Sequence, residues 1–314
     1  MNKYTIQDSG LELSRLSLGC RWLGGEWDDS PPGETEQKKV AAAVEAALES
    51  GINHFDHADI YCKGKSEQVF GDHLKANPGL RDEMILQSKC GIREGQFDFS
   101  YDHIMKSVEG SLARLGIDSL DILLLHRPDC LYEPDEIARA FDRLQADGKV
   151  QHFGISNFSA AQTELLQASL DQPLLFNQLQ LSLLHHQLIE EGILVNQQPG
   201  GFFGPGLLDY CRLKNICVQA WSPLDRGRLV SPLAGVEPRI QETSETVAAL
   251  AEKYDCSREA ILVAWLLRHP AGIQVVVGTT NPQRIRNCCE ADAVELSREE
   301  WYELFLAARG KPLP

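Results

Sequence analysis

Several common signatures are missing from this sequence of 314 residues. Its nine cysteines include no C-x-x-C pair, and Cys288-Cys289 is only a vicinal pair, so we expect neither a zinc site nor a disulfide framework. No segment has the pattern of a signal peptide or of a membrane-spanning run, which predicts a cytoplasmic protein. No G-x-G-x-x-G follows the first predicted strand, and this disfavours a Rossmann-type dinucleotide-binding sheet.

Basic residues are also in short supply. The chain has 30 Lys and Arg against 45 Asp and Glu, which gives a formal net charge of −15. This balance argues against nucleic acid or an anionic membrane as the main partner, but it allows a local basic site for one phosphorylated small molecule. Hydrophobic residues make up 43% and charged residues 24%, as in ordinary globular proteins. We expect a monomer.

Short apolar strands alternate with helical patterns along the chain. A turn signal at Asp8-Ser9-Gly10 predicts an N-terminal hairpin. Eight further strands, each followed by a helical pattern, are predicted at 16–20, 52–58, 84–89, 120–126, 150–156, 174–181, 216–221 and 273–277. Such alternation indicates parallel pairing through helical crossovers. The predicted fold class is α/β: a closed (β/α)8 TIM barrel with an N-terminal β-hairpin and extra C-terminal helices, in a single domain covering residues 1–314.

Titratable side chains follow three successive predicted strands. Active sites of such barrels lie at the C-terminal ends of the strands. Asp56 ends the second strand with Tyr61 on the next loop, Lys89 ends the third strand, and His126 ends the fourth. Each has a bland alternative: a loop-capping Asp, a rim Tyr, a solvated Lys and a satisfied core His. Their joint occurrence at neighbouring strand ends favours a catalytic cluster.

The chemistry of these residue types fits proton transfer. A tyrosine has a reference pKa of about 10, so at neutral pH it is a poor proton donor unless a cation lies beside it. That cation must itself be held, and an inward carboxylate such as Asp56 could hold it.

Further motifs carry a family resemblance. The spacing of Asp56 and Tyr61 is joined by Ser88-Lys89, Leu124-Leu125-His126, Gly154-Ile155-Ser156-Asn157, Trp221-Ser222-Pro223-Leu224 and Gly278-Thr279-Thr280. As a set these motifs resemble those of the aldo-keto reductases, from the opening hairpin to the last helix. The stretch Asp-His-Ala-Asp-Ile-Tyr is similar to that of bacterial oxidoreductases in the family, although His57 stands where the family more often has Thr.

The resemblance implies reduction of an aldehyde or ketone, a small-molecule carbonyl substrate, by a nicotinamide dinucleotide. It implies that Tyr61 is the general acid and that Lys89 lowers the pKa of Tyr61. Asp56 would fix the position of Lys89, and His126 would orient the carbonyl by a hydrogen bond.

The resemblance also implies a set of cofactor-binding residues. Within it, Trp221 would stack on the nicotinamide, and Ser156, Asn157 and Gln178 would hold its carboxamide. The last strand passes into a helix whose N-terminus favours phosphate, and Arg284 would bind a 2′-phosphate, which points to NADPH with NADH possible. The full set is Ser156, Asn157, Gln178, Trp221, Ser222, Pro223, Leu224, Gly278, Thr280 and Arg284.

Other interpretations remain open from the sequence. The barrel could serve as a nucleotide-binding redox sensor or a channel-associated regulatory module with incidental turnover. A metal-dependent hydrolase is disfavoured because no His-x-His motif starts the barrel and Lys89 would repel a cation. Trp22, Trp27 and the pair Phe202-Phe203 could line an aromatic pocket or pack within their loops, and residues 200–206 are interpreted as a mobile rim.

Overall fold

The computed structural model describes residues 1–6, 9–194, 206–231 and 235–314. These residues form twelve strands: β1 (Lys3–Thr5), β2 (Glu12–Ser14), β3 (Leu16–Gly19), β4 (His54–Asp56), β5 (Ile85–Cys90), β6 (Ile92–Arg93), β7 (Gln96–Phe97), β8 (Leu120–Leu125), β9 (Val150–Ser156), β10 (Leu174–Gln180), β11 (Cys217–Trp221) and β12 (Gln274–Val277). Eight of them close into a barrel in the order β10-β11-β12-β3-β4-β5-β8-β9. Every pairing in the barrel is parallel, which confirms the predicted TIM barrel.

Helices follow every barrel strand. In the same residues they are α1 (Glu34–Glu49), α2 (Lys65–Ala76), α3 (Tyr101–Leu115), α4 (Pro134–Ala146), α5 (Ala160–Gln167), α6 (Gln187–Ile193), α7 (Leu207–Leu213), α8 (Pro238–Lys253), α9 (Arg258–Leu267), α10 (Pro282–Cys289) and α11 (Arg298–Arg309). None of the described helices is both long enough and apolar enough to cross a bilayer.

Local sequence signals account for several helix ends. Ser159 and Gln162 form a reciprocal capping box at α5, with N···O distances of 2.9 and 3.3 Å. An equivalent box between Ser297 and Glu300 opens α11. Gly116 ends α3 at φ +66°, a left-handed conformation that glycine adopts without strain.

The structure differs from the predicted elements in places. Strand β4 is shorter than the predicted 52–58, although the ladder continues beyond it through His57 N to Gln87 O at 2.8 Å. Helix α8 begins at Pro238 rather than near residue 243, because proline fits the first helical turn. The hairpin β6–β7 and the helix α6 were not expected. Asp8 of the turn signal, the pair Phe202-Phe203 and most of the 200–206 stretch lie outside the described residues.

The N-terminal hairpin closes the lower end of the barrel. Its strands β1 and β2 pair antiparallel, and Leu13 packs with the inward-facing Ile122, Leu124 and Phe176 in an apolar cluster of its own. Tyr4 Oη donates to the carbonyl of Ile273, just before β12. The opposite end, where the strands finish, is therefore the open one.

The larger core lies between the barrel and its helices. In it, Trp265 of α9 and Trp301 of α11 stack with ring centroids 5.1 Å apart. Each indole N–H donates to the backbone carbonyl of the other residue, at 3.2 and 3.0 Å. This reciprocal pair joins the C-terminal helix α11 to α9.

Candidate active site

Lys89 lies at the centre of the polar cluster predicted at the strand ends. Its side chain is fully buried, and its ammonium contacts Asp56 Oδ1 at 2.6 Å, the carbonyl of His57 at 2.8 Å and Tyr61 Oη at 3.1 Å. These neighbours lie together because Asp56 ends β4 and Lys89 stands near the end of the adjacent β5. The structure thus brings both Asp56 and Tyr61 into direct contact with Lys89.

The pKa directions within this cluster follow from burial and charge. Burial raises the pKa of Tyr61 above its usual value, and the nearby Lys89 opposes this rise without reversing it. Lys89 thus lowers the pKa of Tyr61, as the resemblance implies, but desolvation of the phenolate outweighs the cation, and the net shift is upward. Burial alone would lower the pKa of Lys89, but Asp56 and Tyr61 raise it, so the ammonium stays charged.

His126 stands beside the phenol. Its ring centroid lies 5.9 Å from that of Tyr61, and the two rings are nearly perpendicular at 82°. Burial, together with the positive charges of Lys89, Arg127 and Arg21, holds the pKa of His126 well below its ordinary value. The imidazole is therefore neutral near pH 7 and can donate only one N–H.

A cavity of about 610 Å³ opens at this end of the barrel. It is large enough for a small-molecule ligand. Twelve of the predicted site residues line it: Asp56, Tyr61, His126, Ser156, Asn157, Gln178, Trp221, Ser222, Pro223, Leu224, Gly278 and Arg284. Lys89 lies behind its wall in contact with Tyr61, and Thr280 does not line it.

Asn157 organises one wall of the cavity. It adopts φ +63°, a left-handed conformation that Asn tolerates better than most residues. Its Nδ2 donates to Ser156 Oγ at 2.9 Å and to the carbonyl of His126 at 3.2 Å. Its Oδ1 accepts a hydrogen bond from Trp221 Nε1 at 3.3 Å. This hydrogen bond to Asn157 restrains the indole plane of Trp221 on the cavity wall.

Gln178 is more deeply engaged than the sequence suggested. Its Nε2 donates to Asp56 Oδ1 at 3.0 Å and to Gln219 Oε1 at 3.1 Å. Both amide hydrogens are therefore used inside the barrel. Only Oε1 remains for a carboxamide, so Gln178 can offer such a group an acceptor but no donor.

A buried layer of glutamines continues below Asp56. Gln87 donates to Asp56 Oδ1 at 2.5 Å, and Gln219 donates to Gln274 Oε1 at 2.9 Å. Gln274 in turn donates to the carbonyl of Ser14 at 2.8 Å. Sequence reasoning missed this layer. One signal was available: Gln87 stands two residues before Lys89, so both face the barrel interior.

The far side of the cavity is formed by the ends of β11 and β12. Ser222 is exposed at φ +55°, and Arg226 adopts φ +59° in the tight turn that follows. A Cβ added to Gly278 would meet no atom within 4 Å, so the backbone there is open to a ligand. Arg284 is exposed in the first turn of α10, where Asn281 Oδ1 caps its backbone N–H at 3.1 Å.

Sequence reasoning also missed three cavity arginines. Arg21 follows β3, Arg127 follows His126 directly, and Arg226 lies in the turn after β11. The rule used for the acidic and basic residues at strand ends would have found the first two. Trp22 and Trp27 do line the cavity. No group of three or more His, Cys, Asp or Glu side chains suited to a metal ion occurs in the part of the chain that the structure describes.

Comparisons with known proteins agree with this geometry. The model of the aldo/keto reductase family matches residues 15–305, and the chain belongs to that family. It is 37% identical to the 6-dehydroglucose reductase of Agrobacterium fabrum, with 99% of each chain covered. It is 35% identical to the oxidoreductase YdhF of Escherichia coli over the full length of both. The chain is thus an oxidoreductase that reduces carbonyl groups of small molecules.

A solved structure supports the fold. The glycerol dehydrogenase AKR11B4 of Gluconobacter oxydans superposes with a TM-score of 0.81 at 24% identity, covering 100% of this chain and 98% of the other. The family generally uses nicotinamide cofactors. None of the comparisons supports the alternative of a sensor or channel-associated module.

Proposed function

We propose that the protein is an NADPH-dependent reductase of aldehydes or ketones in which Tyr61 supplies the proton. One observation carries the proposal. The phenol oxygen of Tyr61, on the wall of the cavity, lies 3.1 Å from the ammonium of Lys89, which Asp56 holds at 2.6 Å.

The proton step follows from these contacts. Reduction places negative charge on the carbonyl oxygen, which needs a proton and preorganised hydrogen-bond donors. Tyr61 keeps its proton at neutral pH, because burial raises its pKa. When the phenol gives up that proton, the charged ammonium of Lys89 stabilises the phenolate left behind. Asp56 fixes the ammonium at the distance this requires.

His126 orients the carbonyl in this proposal. Because its pKa is far below neutrality, the ring offers an N–H without carrying a competing charge. Its position beside the phenol lets two donors converge on one oxygen atom. Donors that are already in place need no reorganisation during the reaction.

The cavity also suits a nicotinamide dinucleotide. Ser156, Asn157 and Gln178 Oε1 would hold the carboxamide, and the indole of Trp221, fixed by its hydrogen bond to Asn157, would support the ring. When bound, the nicotinamide supplies the hydride for the carbonyl carbon. The cavity volume of about 610 Å³ is compatible with the dinucleotide and a small carbonyl compound bound together at the open mouth.

The phosphates would bind at the ends of β11 and β12. Ser222, with the backbone of Pro223 and Leu224, would contact the pyrophosphate, and Gly278 leaves the backbone accessible. Thr280 would support the turn into α10, whose N-terminus favours phosphate. Arg284 on α10 would bind the 2′-phosphate, which favours NADPH over NADH.

Steady-state oxidation of NADPH tests the proposal. The panel comprises aliphatic, aromatic and sugar-derived aldehydes, the last because one relative is named a 6-dehydroglucose reductase. We expect Tyr61→Phe to lower kcat by about 10²- to 10⁴-fold, the usual contribution of a general acid. Tyr101→Phe, the same change on α3 outside the cavity, serves as the matched control. Wild-type levels of turnover in Tyr61→Phe would contradict the role of Tyr61.

Three broader expectations belong to the same proposal: one domain over residues 1–314, a monomeric state and a cytoplasmic location. Size-exclusion chromatography with light scattering tests the second, and a mass of twice 35.0 kDa would refute it.

A further inference from the structure

Four guanidinium groups line the cavity without a carboxylate partner among the described residues: Arg21, Arg127, Arg226 and Arg284. By contrast, Arg228, which does not line the cavity, forms an ion pair with Asp225. In a chain with a net charge of −15, four unpaired cations in one cavity require an explanation, and Arg21 and Arg127 are the two that lie near Tyr61 and His126.

Both cations lie at the catalytic end of the cavity. The backbone carbonyl of Arg21 accepts hydrogen bonds from Cys62 Sγ at 3.2 Å and Ser66 Oγ at 3.1 Å, in the segment that follows Tyr61. Arg127 is the residue after His126. After burial and Lys89, the charges of Arg127 and Arg21 are the further causes that lower the pKa of His126. The carbonyl to be reduced would therefore sit close to both.

Aromatic rings support the two guanidinium groups. The Arg21 guanidinium lies 5.0 Å from the ring centroid of Trp22 and 5.5 Å from that of Trp27. The Arg127 guanidinium lies 5.8 Å from the ring of Trp221. A cation–π contact of this kind restrains a guanidinium without using any of its N–H groups. An oriented guanidinium binds a carboxylate or a phosphate through paired hydrogen bonds.

The nucleotide does not account for these two residues. Its phosphates are assigned above to the ends of β11 and β12, where Arg226 and Arg284 supply positive charge. Arg21 and Arg127 follow β3 and β8, beside the phenol and the imidazole. The negative field of the whole chain repels anions, so an anionic substrate would need local cations at this point.

We propose that the physiological carbonyl substrate carries an anionic group, a carboxylate or a phosphate, which Arg21 and Arg127 bind. This inference rests on the proposed function, because it names the substrate class of the same site. The reduction is unchanged: the carbonyl carbon gains a hydride from the nicotinamide, the oxygen gains a proton from Tyr61, and the anionic group does not react.

Matched aldehyde pairs test the proposal. Succinic semialdehyde is compared with its methyl ester, and glyceraldehyde 3-phosphate with glyceraldehyde, so that the two arms separate carboxylate from phosphate. With NADPH, we expect kcat/KM for the charged member of at least one pair to exceed that of the neutral member at least tenfold. This advantage should shrink as the NaCl concentration rises, since salt screens the attraction.

Substitutions of Arg21 and Arg127 test whether these residues cause the preference for charged aldehydes. We expect Arg21→Gln and Arg127→Gln each to reduce the charged-to-neutral ratio of kcat/KM several-fold. Arg139→Gln, the same change on the exposed face of α4, should keep the wild-type ratio. If either cavity variant fails to fold, the salt dependence of the wild-type ratio still decides the question.

The outcomes separate this inference from the proposed function. The anion site is refuted if the enzyme reduces the aldehydes but kcat/KM does not favour the charged member of either pair. It is also refuted if both cavity variants keep the wild-type preference. In either case the proposed reductase activity is unaffected. If neither these aldehydes nor the broader panel is reduced, the proposed function itself falls, and this inference falls with it.

Discussion

Gln87 and Gln219 exchange two amide hydrogen bonds inside the barrel, with N···O distances of 3.0 and 3.1 Å. Both side chains are fully buried. Through Gln87 the pair contacts Asp56, and through Gln274 it reaches the carbonyl of Ser14 at the closed end of the barrel. Because buried amides are costly without partners, this chain of bonds restricts where Asp56 can lie.

Gln219→Leu tests that network. The substitution keeps the approximate volume but removes the hydrogen bonds that Gln219 makes with the amides of Gln87, Gln178 and Gln274. We expect the free energy of unfolding to fall by about 1–3 kcal/mol, the range for buried polar groups left unsatisfied. Urea denaturation measures the loss, and Gln68→Leu on the exposed face of α2 is the matched control. Equal stability of the two variants would show that the amide layer contributes nothing.

The stability of the protein should depend on pH through His57. Burial lowers the pKa of His57 to about 3, against 6.5 for an exposed histidine. The unfolded chain therefore takes up a proton near pH 6.5 while the folded chain does not. The contribution of the neutral His57 to the free energy of unfolding is fully present above pH 6.5 and is lost as the pH falls towards 3. Between pH 8 and pH 5, one such histidine should lower the free energy of unfolding by about 2 kcal/mol.

His57→Leu isolates this effect. In urea titrations, wild type should lose about 2 kcal/mol more than the variant between pH 8 and pH 5, since the variant has no imidazole to protonate. The comparison at pH 8 corrects for changed packing against Phe70, whose ring centroid lies 4.5 Å from that of His57. Parallel losses in the two proteins would mean that His57 does not cause the pH dependence.

Asp59 should make the stability of the protein depend on pH in the opposite direction. Burial, aided by Glu67, raises the pKa of Asp59 from 3.8 to about 7, and its Oδ1 has no hydrogen-bond partner among the described residues. The folded state thus favours the protonated acid. The free energy of unfolding therefore falls as the pH rises from 3.8 through 7. Between pH 5 and pH 8, the free energy of unfolding of Asp59→Asn should therefore rise by about 2.5 kcal/mol relative to that of wild type. Asp72→Asn, exposed on α2, should show no such gain.

Arg284→Gln tests the choice of nucleotide. If Arg284 binds the 2′-phosphate, the Kd for NADPH should rise about tenfold, or about 1.4 kcal/mol, while the Kd for NADH stays the same. Isothermal titration calorimetry measures both. Arg286→Gln, on the same helix and hydrogen-bonded to Glu49 at 2.9 Å, is the control. A similar loss of affinity for both nucleotides would remove the case for a phosphate clamp.

The sequence predicts the barrel well, because each strand is a short apolar run followed by a helix signal. The strand 150–156 is found with the predicted bounds. The two strands of the β6–β7 hairpin, each of two residues, were missed because so short a run has no periodicity to detect. The contacts of Asp56, Tyr61 and Lys89 were predictable, since parallel strands end at the same edge.

Other features depend on details that sequence does not carry. Gln87 and Gln219 lie 132 positions apart, and only the closed register of the barrel brings them together. The depth at which Tyr61 is buried decides the direction of its pKa shift, and that depth is a property of the packed structure. Arg21 and Arg127 follow strand ends, so the same rule that predicts Lys89 and His126 as site residues also predicts these two.

The stacked pair of Trp265 and Trp301 has a practical consequence for spectroscopy. Of the five tryptophans, Trp22, Trp27 and Trp221 border the cavity, whereas the paired indoles are buried between α9 and α11. Intrinsic emission therefore comes from two populations, one exposed to an incoming nucleotide and one shielded from it. A titration should quench the first and level off at a plateau set by the second, so each sample carries its own internal standard.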